Sequence, residues 1–481
     1  MKKILTLLLL FLVVFSSSAQ DTSFYATMAL NDAEALKSDL PLEVEILAKK
    51  QNEAVVYMTE NASHMLHDRV LVHGPGYVFK PSYEDAIAAL ERPTVIPANS
   101  NMVFTITEDQ WVQNAMDAVN TQNIEDQILV LQNYGTRYHN RASATQAAND
   151  LKTKWENMAA SYGRTDVSVR LFNHVNTNMP SVIMTIAGAE TPDEFVIVGG
   201  HLDSTANPSN DNAPGADDDA SGISTITEAA RALFETGFVP KKSIEFMAYA
   251  AEEIGLVGSA EIAQEYANNN INVSAVVQFD MTNYNGSGYD VGLITDYTSP
   301  TLTGFLSQLM DHYNASGAHQ FSYGASMCNY GCSDHASWTA EGYMAAFPFE
   351  SGFGQHNPNI HTANDVFSIS GNAEHAAKFS KLCVEFLIEA SKSDIILAVS
   401  ENELDNYQVY VTDSTLNYSL TTSSATLDNI VLYDILGKRI MQLEHPKNSG
   451  QVSLEAYASG FYIVTLEFEN GKQFSKRIVV E

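Results

Sequence analysis

Between about residues 115 and 393 the apolar positions follow two periods in turn, and that alternation predicts the architecture. Helical spacing covers about Glu125–Tyr134 and Ser143–Tyr162, and apolar runs at Val167–His174, Ser181–Ala187 and Phe195–Gly199 read as strands. Next, Ile223, Ile226, Ala230, Leu233 and Phe234 recur at helical spacing and predict one buried face. The strand SIEFMAYAA, a helix over about Ser259–Asn268 and the strand AVVQFD follow. DVGLITDY, the helix TLTGFLSQLMDHY, the strand MAAFPFE and a helix near Ala373–Ser391 close the series. Strands alternating with helices predict an α/β domain over 113–395, with a mixed, mainly parallel sheet flanked by helices.

The flanks have other patterns. Residues 20–112 mix helix and strand signals and end in the alternating run VFTITEDQW, which reads as a strand; a propeptide or accessory region is expected there. The first residues pair Lys2-Lys3 with an apolar core from Ile4 to Phe15 and small residues to Ala19, the pattern of a secretory signal over 1–19. No later stretch approaches the roughly 20 apolar residues of a membrane span. From Asp405 to Glu481 only short strand-like runs occur (YQVYV, NIVLYDI, GFYIVTLEF, FSKRIVV), which predicts a small all-β sandwich over 405–481.

Composition narrows the function. A chain of 481 residues with 45% hydrophobic content has ample material for two or three folded units. A formal net charge of −32 argues against nucleic acid as a partner, because phosphate binding needs a basic patch. Of the three cysteines, Cys383 lies in a helical pattern and is expected to be buried and inert. Cys328 and Cys332 could close a small disulfide loop in an oxidising compartment or act as a metal-binding pair, although no second cysteine pair completes a thiolate site.

The candidate chemistry sits where strands end. His201 and Asp203 follow FVIVGG, Glu252-Glu253 follow SIEFMAYAA, and Asp280 follows AVVQF. The carboxyl ends of parallel strands line the ligand crevice of an open sheet, so these groups are expected to meet. Asp217–Asp219 leaves the same crevice, and His361 in NIHTAND can close the set. Taken singly, the triplet reads as a helix cap and His361 as a loop residue. Adjacent Glu252-Glu253 is harder to dismiss, since paired carboxylates repel unless something positive lies beside them. Imidazoles and carboxylates without thiolates suit Zn²⁺ in an open site, and two metals would need one bridging carboxylate.

GGHLDS, APGADDDASG, YAAEEIGLVGS, QFDMTNY, CNYGCSDHASW and IHTAND together resemble the motif series of the secreted bacterial leucyl aminopeptidases, co-catalytic dizinc exopeptidases. The resemblance covers about residues 115–393 and implies the zinc exopeptidase fold. It implies that Asp218 bridges two zincs, with His201 and Asp280 completing one shell and Glu253 and His361 the other. Glu252 corresponds to the general base, Asp203 to the carboxylate that orients His201, and Tyr330 to a tyrosine that polarises the scissile carbonyl. It further implies a non-proline cis peptide after Asp218 and a Cys328–Cys332 disulfide. Met281, Ile294, Phe347, Phe349, Phe353 and Ile360 would line an apolar pocket for the N-terminal side chain. His356 departs from the pattern, because close relatives carry tyrosine there. The C-terminal run NIVLYDILGKRI … SGFYIVTLEFENGKQFSKRIVVE, with basic Lys476 and Arg477, resembles a sorting domain of the type IX secretion pathway.

These resemblances imply a secreted or surface-attached monomer that removes large hydrophobic N-terminal residues from peptides, using a zinc-bridging hydroxide and Glu252. The export machinery would be its partner through the C-terminal domain. Two alternatives keep the fold: a glutaminyl cyclase-like enzyme with one zinc, and a non-catalytic binding ectodomain. The full set of five ligands argues against both.

Overall fold

The computed structural model describes residues 23–69, 73–91, 104–392, 407–412, 414–420, 426–434, 439–454, 456–468 and 473–480. The expected signal segment, 1–19, lies outside them. Two compact units are present: one holds Ile106–Lys392 together with the N-terminal sheet, the other the strands that follow Ser393. Among the described residues no helix is long and apolar enough to cross a membrane.

Strands β1 (Ser23–Ala29), β2 (Val44–Lys50), β3 (Glu53–Thr59) and β4 (Tyr77–Lys80) form an antiparallel sheet in the order β2-β3-β1-β4. Helices Leu30–Asp39 and Glu60–Arg69 complete a β-α-β-β-α-β unit of ferredoxin-like order. Ala26, Leu36, Val56, Met58 and Leu66 form its core. The VFTITEDQW run is not a strand: Asp109–Ala118 is a helix, and the residues just before it have no ladder partner. Their backbone is satisfied instead by a buried carboxylate, Glu389, which accepts from Thr107 N and Glu108 N. Val112, Ala115 and Met116 then bury one face at helical spacing.

The site rests on an eight-stranded sheet of β5 (Val167–Phe172), β6 (Ser181–Ile186), β7 (Thr191–His201), β8 (Lys242–Tyr249), β9 (Asn272–Gln278), β10 (Val291–Ile294), β11 (Tyr323–Ser326) and β12 (Ala345–Phe349). Its order is β11-β10-β12-β9-β7-β8-β6-β5, mixed and mostly parallel. The central run β12-β9-β7-β8 is parallel throughout, and antiparallel pairs lie toward the edges. Every residue of β8 is buried, as in a strand covered on both faces. The helix Ala220–Thr236 buries almost its whole length and stops at Gly237, whose φ of +71° favours a residue without Cβ. Parallel alignment of β9, β7 and β8 brings their carboxyl ends to one side of the sheet, as the strand-end reading predicts.

The C-terminal strands β13 (Tyr407–Thr412), β14 (Thr415–Leu420), β15 (Leu427–Asp434), β16 (Arg439–Glu444), β17 (Ser449–Ser453), β18 (Gly460–Phe468) and β19 (Gln473–Val480) make two antiparallel sheets. Val409 and Leu416 from one sheet share a core with Ile430, Val464 and Ile478 from the other, so the unit is a sandwich.

Arg137 fixes the long connection that leaves β7. Fully buried, its guanidinium donates to the carbonyls of Leu202 (2.8 Å), Leu131 (3.1 Å), Pro214 (2.7 Å) and Gly215 (2.9 Å). Arg137→Met would leave those acceptors unpaired, at a cost of about 3–5 kcal/mol. At roughly 2 °C per kcal/mol for a domain of this size, Tm should fall by about 6–10 °C in calorimetry. A change below about 2 °C would show that the loop holds itself.

Candidate metal centre

β7 ends at His201, the turn after β8 carries Glu252 and Glu253, and Asp280 follows β9; all four side chains are buried. Asp218 enters from the loop after β7, and His361 from a loop that follows β12. Asp218 Oδ1 lies 2.8 Å from His201 Nε2, and its Oδ2 lies 3.0 Å from His361 Nε2. His361 Nε2 is also 3.2 Å from Glu253 Oε2, while His201 Nε2 is 3.5 Å from Asp280 Oδ1. One carboxylate thus spans two imidazoles, each with a further carboxylate beside it.

The flanking aspartates are tied up elsewhere. Asp219 caps the Ala220–Thr236 helix through Gly222 N (2.8 Å) and accepts from His201 N and Met281 N, both at 3.0 Å. Asp217 accepts from Asn283 N and Asn357 Nδ2. The peptide bond between Asp218 and Asp219 is cis, as the family resemblance implies. Asp203 accepts from Glu252 N (3.0 Å) and Glu253 N (3.2 Å) and lies 3.5 Å from His201 Nδ1, so it orders the tandem glutamates as well as the histidine.

Electrostatics sharpen the picture. Burial alone would raise the Asp218 carboxyl, but hydrogen bonds from His201 and His361 hold it well below the usual range. Burial lowers His361, yet Glu253 and Asp218 lift it to about 10. Glu252 differs: burial pushes it well above the ordinary range despite the pull of His201. Both its oxygens are buried without a hydrogen-bond partner among the described residues. The orphaned carboxylate lies beside converging imidazole and carboxylate donors, the ligand types found in zinc sites. The donor set fits Zn²⁺: His201, Asp218 and Glu253 each bring one ligand atom within 4.8 Å of the others, and so do His201, Asp219 and Asp280.

Met281, Ile294, Phe347, Phe349, Phe353 and Ile360 pack together with Tyr330 and the Cys328–Cys332 disulfide into one apolar cluster beside the acids. Cys383 is free and buried, as expected. His356, expected from the resemblance to be a departure, has its ring centre 5.8 Å from that of Phe349, edge-on, and 5.6 Å from that of Phe353, tilted. Burial lowers its pKa to about 4, so it serves as a neutral ring at the pocket rim.

Other residues support the site without having been singled out in the sequence, although Asp365 ends the IHTAND motif. Asp365 accepts from Asp217 N and Asp218 N and so sets the position of Asp218. Glu350 holds Asn357 N at 3.0 Å, and Asn357 in turn holds Asp217. A third imidazole also reaches the cluster: His73 Nε2 lies 3.0 Å from Asp280 Oδ1.

Comparison with known proteins finds relatives for both parts of the chain. Residues 181–387 match Peptidase family M28, and residues 412–481 match the secretion system C-terminal sorting domain. A probable leucine aminopeptidase of Trichophyton verrucosum is 31% identical over 372 residues, spanning 76% of this chain and 97% of the relative. A probable aminopeptidase of Saccharomyces cerevisiae is 32% identical over 307 residues, spanning 62% and 80% respectively. The crystal structure of the Legionella pneumophila LapA aminopeptidase matches with TM-score 0.68 at 33% identity, over 78% of this chain and 100% of that one. LapB of the same organism matches with TM-score 0.68 at 27% identity, over 77% and 100%.

Stripping metal should destabilise the fold, because the converging carboxylates would lose their counter-charge. Zinc held at 100–1,000 times its Kd contributes about 2.7–4.1 kcal/mol. A chelator should therefore lower Tm by several degrees, and added zinc should restore it. A Tm indifferent to chelator would mean that the cluster is neutralised by protons instead.

Proposed function

This chain belongs to peptidase family M28, and from that premise we propose a secreted dizinc aminopeptidase that removes large hydrophobic residues from the N-termini of peptides. The observation that carries the reading is Asp218 spanning His201 and His361, with the orphaned Glu252 carboxylate nearby. His201, Asp218 and Asp280 would hold one zinc, and Asp218, Glu253 and His361 the other. The sorting domain at 412–481 supports export by the type IX route, with release or surface attachment afterwards.

When bound, zinc supplies Lewis acidity that polarises a carbonyl and brings the pKa of water toward about 7. The protein's own groups do the rest. Glu252 takes a proton from the attacking water and delivers it to the leaving amine, and its raised pKa suits a group that must hold that proton between steps. The Tyr330 hydroxyl donates to the carbonyl oxygen as negative charge develops there. Asp203 keeps the tandem glutamates and His201 in register, and the Phe347–Phe349–Phe353 cluster takes the apolar side chain. The free α-amine finds its counter-charge among the buried carboxylates, which restricts the reaction to chain ends.

Glu252→Gln should keep two zincs by elemental analysis while turnover of leucyl-p-nitroanilide falls by about 10²–10⁴-fold. Near-normal turnover would remove Glu252 from the chemistry, and a stoichiometry of one zinc would remove the bridge. In the pocket, Phe353→Ala should lower kcat/KM for leucyl substrates by about tenfold or more while changing it less for alanyl substrates. An equal effect on both would place the side-chain pocket elsewhere.

A further inference from the structure

His73 belongs to the N-terminal unit, on the turn just before β4, yet it is only 1% exposed and sits inside the candidate metal centre. Its Nε2 is 3.0 Å from Asp280 Oδ1, and it forms a possible metal-holding group with Asp218 and Asp280. Its Nδ1 has no partner among the described residues. The ring lies 5.2 Å from Phe349 and 6.0 Å from Phe347, in the apolar cluster assigned to the substrate side chain.

The backbone completes the pattern. The His73 carbonyl accepts the Tyr330 hydroxyl, the group proposed to bind the scissile carbonyl. The next residue, Gly74, has φ +71°; a Cβ there would meet Cys332 O at 2.5 Å and Glu252 Oε1 at 3.2 Å. The peptide bond after His73 therefore lies between Tyr330 and Glu252. β4 fixes the approach, since Phe79 N donates to Gly255 O at 3.0 Å, in the turn that carries Glu252-Glu253. Gly255 leaves no room for a side chain there: a Cβ would meet Phe79 N at 2.6 Å.

We infer that His73 is a ligand of the metal centre supplied by the N-terminal unit, and that the His73–Gly74 turn is a tethered, substrate-like inhibitor of the aminopeptidase site. The inference rests on the proposed peptidase reading. An internal residue has no free α-amine, so the His73–Gly74 bond occupies the site without meeting the requirement of an exopeptidase. An imidazole also donates an electron pair without adding negative charge to an already acidic cluster. The intact chain is thus latent, and removal of the N-terminal unit exposes the centre.

The test uses the intact chain with Co²⁺ in place of zinc. Hyperfine-shifted, exchangeable imidazole N–H resonances should number three, from His73, His201 and His361, and fall to two in His73→Ala. His73→Gln keeps a donor toward Asp280 but is a poor ligand, so it should also show two and guards against misfolding of the smaller variant. In the uncut zinc protein both variants should hydrolyse leucyl-p-nitroanilide about 10- to 1,000-fold faster than wild type, as expected when an open form of ~0.1–10% becomes the whole population. Two resonances in the wild-type chain, or equal activity of wild type and both variants, would overturn the inference. A fall from three resonances to two without hydrolysis by any form would support the ligand assignment and count against the peptidase reading.

Discussion

The fold is organised around a problem of buried negative charge. Asp217, Asp218, Asp219, Glu252, Glu253 and Asp280 are all almost fully buried within one crevice. Unpaired, each ion would cost several kcal/mol. The structure disposes of the acids in two ways. Asp203, Asp219 and Asp365 are consumed by backbone N–H groups of the loops that carry the other residues. Asp218, Glu253 and Asp280 instead point at imidazoles, and Glu252 has no donor among the described residues. The first set builds the scaffold and the second is left to act. That division, more than the count of acids, marks the centre as chemical.

The same division explains what was legible in the sequence. Strand ends carrying His201, Glu252-Glu253 and Asp280 could be read because buried parallel strands have a simple pattern, and their parallel alignment follows from the alternation with helices. Which aspartate spans His201 and His361 could not be read from DDD alone. It depends on which side chain is spent on the helix cap and on Met281 N, a contact across 62 residues of sequence. Arg137 was silent for a related reason, and the role of Asp365, though it ends the IHTAND motif, was not legible either, since their partners are main-chain groups of loops elsewhere in the chain. VFTITEDQW misled because alternation predicts a strand only where a neighbouring strand offers a ladder. Here Glu389 takes those N–H groups, and the helical face of Val112 and Met116 prevails.

The apolar cluster beside the acids accommodates a histidine without loss of character. A histidine at position 356 would be a liability at an apolar rim if it carried charge. Enclosed by Phe349 and Phe353 and depressed by burial to a pKa of about 4, it behaves as a flat neutral ring at physiological pH. A neutral imidazole keeps the wall free of charge. One ring nitrogen, His356 Nδ1, accepts the Gly354 N–H at 3.3 Å.

His73 had no signature in the sequence because nothing in HGPG resembles a ligand motif; its meaning lies in what it touches. The turn satisfies each demand of the site except one. It offers a side chain to the phenylalanines, a carbonyl to Tyr330 and an imidazole to the acidic cluster, but no terminal amine. A site selective for chain ends is therefore open to inhibition by its own polypeptide, provided that the residue presented is internal. The feature that restricts the proposed enzyme to N-termini is also what lets an intramolecular segment occupy it uncleaved, so specificity and latency follow from a single geometry.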